Sequence, residues 1–274
     1  MKIFILIVNL IPLIYAEAQV VRQPVSVLYP ALGAYSKNFS DIFSGTSNQA
    51  SLATLKTAAF AVYGERRFML DELNTYTTII AIPTTSGTVG FQADYFGSSS
   101  FNESRIGVIY GRKITSAIDV GVKFNYLLVK VAGYGAAAAV NFEAGAIFHL
   151  TDRLHAGFHV YNPASSKLGK NGTDQLASAY CFGIGYEASE SLFVCTEIVK
   201  REAKPVSVNA ALQYNLHKKV FIRCGISADN NISFGSVGLN IGFGRIDVNT
   251  AYHPQLGFTP GLLLLINFKK QTDE

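Results

Sequence analysis

From about Lys56 onward, apolar and polar residues alternate one by one instead of following the three-to-four rhythm of a helix. The clearest run is 117–128. There Ile118, Val120, Val122, Phe124, Tyr126 and Leu128 share one face, and Asp119, Gly121, Lys123 and Asn125 share the other. In 205–216, Val206, Val208, Ala210, Leu212 and Tyr214 oppose Ser207, Asn209, Ala211, Gln213 and Asn215. In 244–253, Ile246, Val248, Thr250 and Tyr252 oppose Asp247, Asn249 and Ala251. Alternation of this kind sends successive side chains to opposite sides of a pleated strand.

Fourteen such segments are predicted: 56–66, 74–83, 88–96, 104–113, 117–129, 136–150, 153–162, 175–187, 191–200, 205–216, 219–228, 232–243, 244–254 and 260–268. Boundaries read this way hold to a few residues, which leaves counts from twelve to sixteen open. The connections alternate between tight turns, such as Thr151-Asp152 and His217-Lys218, and longer ones, such as 68–73, 162–174 and 253–259. An even strand count with short turns on one rim and longer loops on the other is the pattern of a bacterial outer-membrane barrel. Strands of about ten residues also suit a tilted membrane crossing better than a soluble sheet, where roughly five or six is usual. The expected class is all-β: a transmembrane antiparallel β-barrel of about 14 strands, spanning 56–268, with an N-terminal plug segment at 19–55 and a short polar tail at 269–274.

Composition sharpens this picture. Charged residues make up 15% of the chain, against roughly 25% in an ordinary soluble domain. Apolar residues make up 49% and mean hydropathy is +0.24, yet no stretch after the first few residues is long enough for a membrane helix. A net charge of +4, not gathered into a stripe, argues against a nucleic-acid partner. Met1-Lys2, an apolar run to Tyr15 and Ala16-Glu17-Ala18 form the pattern of a cleaved export signal over 1–18. Outer-membrane lipid is therefore the expected surroundings.

Residues 19–55 do not alternate, and short helical turns are predicted at 40–43 and 47–55. The stretches Ala31–Ser36, Asp41–Ser44 and Asn48–Ala53 resemble the N-terminus of the PorV/PorQ branch of the FadL-like outer-membrane barrels of Bacteroidota. Asp41, Asn48, Ala50, Leu52 and Ala53 carry the likeness, while Gln49 and Ser51 stand where that family has proline and glycine. The resemblance implies a fourteen-stranded barrel with an N-terminal hatch. It also implies either uptake of hydrophobic compounds or a non-transport role in type IX secretion. The last strand, with Leu264, Ile266 and Phe268 on one face, resembles the terminal signal that the barrel-assembly machinery binds in outer-membrane proteins.

Candidate chemistry is sparse. No nucleophile, phosphate loop or cofactor motif is apparent, and neither catalysis nor a cofactor is expected. Asp94, Arg105, Asp119, Lys123, Glu143, Glu197, Arg223 and Asp247 fall on the inward face. A midplane Arg or Lys facing lipid costs ~2–4 kcal/mol, so these are expected to pair inside, as a lumen filling or as a polar route for a solute. Cys181 and Cys195 are predicted inward and Cys224 outward, and pairing of the first two is left open. His149, His155, His159 and His253 are predicted to face the lumen, with no spacing that enforces a metal site. Loop 162–174 reads as flexible and exposed. The loop holding Pro254, Leu256, Phe258 and Pro260 reads as a stiff apolar partner contact or a cover for the mouth.

Two functions follow. The favoured one is a non-enzymatic accessory subunit that holds other outer-membrane or periplasmic proteins in a secretion or barrel-assembly machine, since no inward apolar pocket is visible. The alternative is a FadL-like channel or carrier for small, hydrophobic solutes.

Overall fold

The computed structural model describes residues 32–169, 174–202, 204–228 and 231–268. The export signal expected at 1–18, the first part of 19–55 and the 269–274 tail lie outside the described residues. The strands are β1 Ala59–Arg66, β2 Asn74–Thr84, β3 Gly87–Gly97, β4 Phe101–Lys113, β5 Ile118–Val131, β6 Gly135–His149, β7 Leu154–Tyr161, β8 Lys167–Leu168, β9 Asp174–Gln175, β10 Ala179–Glu187, β11 Leu192–Arg201, β12 Ser207–His217, β13 Val220–Ser227, β14 Ile232–Ile241, β15 Gly244–His253 and β16 Gly257–Asn267. Fourteen of them form one closed antiparallel barrel in chain order, sealed by β1 against β16. β8 and β9 make a separate ribbon. The fourteen predicted segments thus appear one for one, with ends moved by a few residues.

Closure removes every edge, so each backbone polar group in the wall finds a partner without water. The ladders are continuous except for one register shift, between Asn215 and His217 beside the β12–β13 turn. On the outer face Phe91, Ile106, Phe124, Val140, Phe182, Val208, Val248 and Leu262 lie exposed. In a soluble protein such a belt would be untenable, and lipid accounts for it. Tyr76, Tyr95, Tyr180 and Tyr252 ring the long-loop end of this belt. Tyr110, Tyr186 and Tyr214 ring the short-turn end, the positions of interfacial aromatic girdles. No helix among the described residues is long and apolar enough to cross a membrane; the crossing is made by strands.

Strands β4, β5 and β6 run to 13, 14 and 15 residues, longer than a crossing needs, so this wall rises above the rest. Its upper inner face carries Leu127, Val129 and Ala139, and Leu176 and Leu168 fold against them. The described part of the 162–174 loop, residues 162–169, is therefore not the free exposed loop expected. Asn162 is buried and donates from Nδ2 to the Leu176 carbonyl, and the Gly169 N–H bonds to the Ala138 carbonyl. The tall apolar wall gives this polar-looking loop a surface to cover.

The last connection is also corrected. β16 begins at Gly257, so the loop shrinks to Pro254–Leu256, with Leu256 exposed at its tip. Phe258 and Pro260 lie on the outer face of the strand, Phe258 against the Tyr252 ring at 5.0 Å. Proline had marked this stretch as loop, yet the alternation Phe258, Pro260, Leu262 runs straight through it. Leu264, Ile266 and Phe268 continue the same outward row. His253 ends at the rim rather than in the lumen, its Nδ1 accepting from the Gln255 and Leu256 N–H groups.

Candidate functional site

Residues 32–55 lie inside the barrel, toward the short-turn end. The segment is ordered locally by its own caps. Asp41 accepts from the Phe43 and Ser44 N–H groups while Ser44 Oγ accepts from the Asp41 N–H, a capping box that starts the 3-10 turn Ile42–Thr46. Asn48 caps the next turn, Gln49–Thr54, through the Ala50 N–H. Leu32, Phe39, Ile42, Phe43 and Leu52 face the wall. They pack on Ala59, Ala61 and Tyr63 of β1, Ile79 and Ala81 of β2, Ile109 of β4, and Leu263 and Leu265 of β16. Phe39 stacks on Phe193 at 5.3 Å, and Phe43 meets Tyr63 at 5.6 Å. The lumen thus has an apolar strip, contrary to the expectation that it lacks one. The strip escaped notice because much of it is alanine, and because Leu263 and Leu265 sit within an unbroken run of leucines.

The opposite wall is polar, and glycines let the segment approach it. Gly111, Gly121 and Gly145 occupy successive registers on β4, β5 and β6. A Cβ at Gly121 would run into the backbone of Gln49 and Ala50, and one at Gly145 into the Asn48 amide. Gly157, Gly183 and Gly185 make the same room for Tyr35.

All eight inward charges named from the sequence face the lumen. Asp94 and Arg105, opposite each other on β3 and β4, pair at 2.8 Å. Lys123 and Glu143, opposite on β5 and β6, stand 3.5 Å apart, and the Gln49 amide donates to Glu143 at 2.7 Å. Glu197 accepts from the Tyr35 hydroxyl at 2.5 Å. Arg223 pairs with Asp247 at 3.0 Å and reaches Asp41 at 3.7 Å. Asp119 has His149 as its partner, at 2.8 Å. Four of the eight, Glu143, Glu197, Arg223 and Asp247, belong to clusters that hold the inner segment. Of the motif residues, Asp41 and Asn48 make its polar contacts, Ala50 and Leu52 are buried, and Ala53 is half-buried.

Several participants were missed. Arg245 binds Asp41 at 2.8 Å and Asp247 at 2.9 Å, making a four-residue cluster with Arg223. Glu187 accepts from Ser36 Oγ, from the Lys37 and Asn38 N–H groups and from Asn38 Nδ2. Both share inward parity with named neighbours, Arg245 with Asp247 and Glu187 with Cys181, which is the signal that would have found them. Burial works to raise the Asp41 carboxyl's pKa, but the Arg245 and Arg223 guanidiniums overcome it and hold the group below the usual carboxylate range. Burial, with the Glu197 carboxylate beside it, pushes the Tyr35 phenol well above its ordinary value and keeps it a donor. Cys181 and Cys195 face the lumen with no disulfide between them, and Cys224 is exposed on the outer face.

At the short-turn rim two adjoining cavities, of about 560 and about 590 Å³, flank the inner segment. Both touch Asn38, Ser40, Lys218, Asn240 and Arg245. Among the described residues no His, Cys, Asp and Glu cluster suited to a metal ion is found.

No protein-family profile matches the sequence, and no curated protein matches it. Solved structures do. The monoaromatic hydrocarbon channel CymD superposes with a TM-score of 0.67 over 90% of this chain and 97% of that one, at 11% identity. The toluene transporter TodX of P. putida gives 0.58 over 82% and 94%, also at 11% identity. A Pseudomonas aeruginosa FadL homologue gives 0.56 over 87% and 96%, at 10% identity. At such identities the likeness is one of fold: the chain shares the barrel fold of these channels, the coarser half of the resemblance read from its N-terminus.

Proposed function

We propose that this protein is an outer-membrane channel for small hydrophobic solutes, closed by residues 32–55. The observation that carries the proposal is the apolar strip on β16, β1 and β2 behind the inner segment. If the segment moved aside, an apolar solute would meet Ile79, Ile109, Leu263 and Leu265 rather than a purely charged bore. The fold shared with a hydrocarbon channel and a toluene transporter points the same way. The ladders of β1 to β7 run without a register break, so the route favoured is along the axis past the segment rather than sideways through that wall.

An export signal at 1–18 would bring the chain to that membrane, with its short-turn rim toward the periplasm. The accessory role suggested by the PorV/PorQ likeness rests on the partial N-terminal motif. The test is reconstitution into liposomes, comparing the full chain with one lacking 32–55 for uptake of toluene. Faster uptake by the shortened chain is expected. Equal, background-level uptake by both, together with a stoichiometric partner in crosslinked native membranes, would favour the accessory role instead.

A further inference from the structure

We propose that the short-turn rim carries a binding site for a phosphate group, from a lipid of the adjoining leaflet or from a soluble phosphate ester, seated between the inner segment and the wall. The site stands whether or not the barrel conducts. The cavity of about 560 Å³ is lined by lysines from three separate places: Lys37 on the inner segment, Lys56 on the link into β1, and Lys218 in the β12–β13 turn. Lys218 also lines the adjoining cavity of about 590 Å³. The three side chains are exposed, and none makes an ion pair among the described residues. The carboxylate that lines their cavity, Asp41, is taken by Arg245 at 2.8 Å and Arg223 at 3.7 Å. Glu190 lines the adjoining cavity and pairs with none of the three. Three ammonium charges thus surround one cavity without a carboxylate among the described residues to balance them.

The kind of cation selects the anion. A guanidinium presents a planar fork that matches a carboxylate, and both arginines here spend theirs on Asp41 and Asp247. What remains is a set of compact ammonium charges on flexible stems. These suit an anion that spreads its charge over several oxygens around one centre, as a phosphate ester does. Thr57 and Asn267 line the same cavity and add neutral donors. Toward the membrane the lining turns apolar: Phe243 and Phe268 belong to it and are 61% and 50% exposed at the foot of the outer belt. A lipid with its chains along these rings would bring its headgroup phosphate to the lysines, and a soluble ester would enter from the rim. The Lys37 N–H is fixed on Glu187 at 2.8 Å, so the backbone that carries this lysine is held in place. Because Lys37 belongs to the inner segment and Lys218 to the wall, one phosphate shared by the two would also fasten the segment at this end.

Amine footprinting of the full chain in an uncharged detergent checks this without any substitution. Acetylation rates of Lys37, Lys56 and Lys218 are read by peptide mass spectrometry with no addition, with phosphatidylglycerol, with diacylglycerol, and with glycerol phosphate. Lys113, which ends β4 on the same rim outside both cavities, is the reference. Near saturation the three lysines should react about tenfold more slowly while Lys113 keeps its rate, because only the unliganded fraction is open to the reagent. Slowing by phosphatidylglycerol alone assigns the phosphate to a lipid, and slowing by glycerol phosphate shows that a soluble ester suffices. No slowing by either, or equal slowing of Lys113, overturns the site. Equal slowing by diacylglycerol overturns it too, since the chains and not the phosphate would then be bound. Lys37→Gln, Lys56→Gln and Lys218→Gln should each weaken retention of the effective probe in native mass spectrometry by about fivefold or more, the loss of one charge-assisted contact. Lys113→Gln should leave retention unchanged, and retention equal across all four variants would sink the assignment of these lysines.

Discussion

At the level of single residues, Asp41 shows how one carboxylate does two jobs. It starts a 3-10 turn through its cap, and it is shared by two guanidiniums on β13 and β15. Asp41→Asn would keep an acceptor for the cap but withdraw one of the two carboxylates that Arg223 and Arg245 share, leaving Asp247. Breaking a buried ion cluster in this way costs about 3 kcal/mol. We expect amide exchange across 32–55 to accelerate roughly a hundredfold while the barrel strands keep their protection. Because the folded pKa of Asp41 is depressed, its contribution is complete above the unfolded value near ~3.9 and is lost only as pH falls through the lower folded one. The gap between variant and wild type should therefore stay constant from about pH 5 to 8 and close only in stronger acid. Asp41 was legible as part of a motif; Arg245 was legible only through its inward parity with Asp247, and single-strand alternation says nothing of its meeting Asp41.

Among the strands, what could be read was period and what could not was register. Alternation puts Ile118 and Val120 outside and Asp119 inside whatever the neighbouring strand does, so fourteen strands followed from the sequence. That Gly111, Gly121 and Gly145 line up side by side depends on how β4, β5 and β6 slide past one another. Single-strand patterns carry no such information. Together these glycines form the seat of the Gln49–Thr54 turn. Gly121→Ala should displace that turn, since its Cβ would meet backbone, which cannot swing away. The expected outcome is rapid labelling of the lumen thiols at pH 7.5. Gly235→Ala is the control, because the nearest atom to a Cβ there is 3.8 Å away. Equal labelling of the two variants would remove the glycine seat from the account.

Taken whole, the molecule mixes two kinds of inner surface: an apolar cluster that covers β16, β1 and β2 and continues through Phe193, Ile232 and Phe234, and charge-paired groups on β3 to β7 and β10 to β15. The inner segment matches both, with Phe39 and Phe43 toward the first and Tyr35, Asp41 and Gln49 toward the second. Lipid outside reverses the usual rule, which is why the outward half of the pattern was so clear. The inward half mixes filling with function and was read only as charge. None of the fourteen wall ladders includes a residue of 32–55, so removing that stretch should leave the barrel closed. The shortened chain is expected to keep its heat-modifiable gel mobility and strand content. Its conductance should exceed that of wild type many-fold, and replacing Leu263 with Asp in that background should slow toluene uptake more than it slows ions. A shortened chain that fails to fold would mean the segment is a core the barrel cannot do without, rather than a door. Equal slowing of toluene and ions would mean the apolar strip guides nothing.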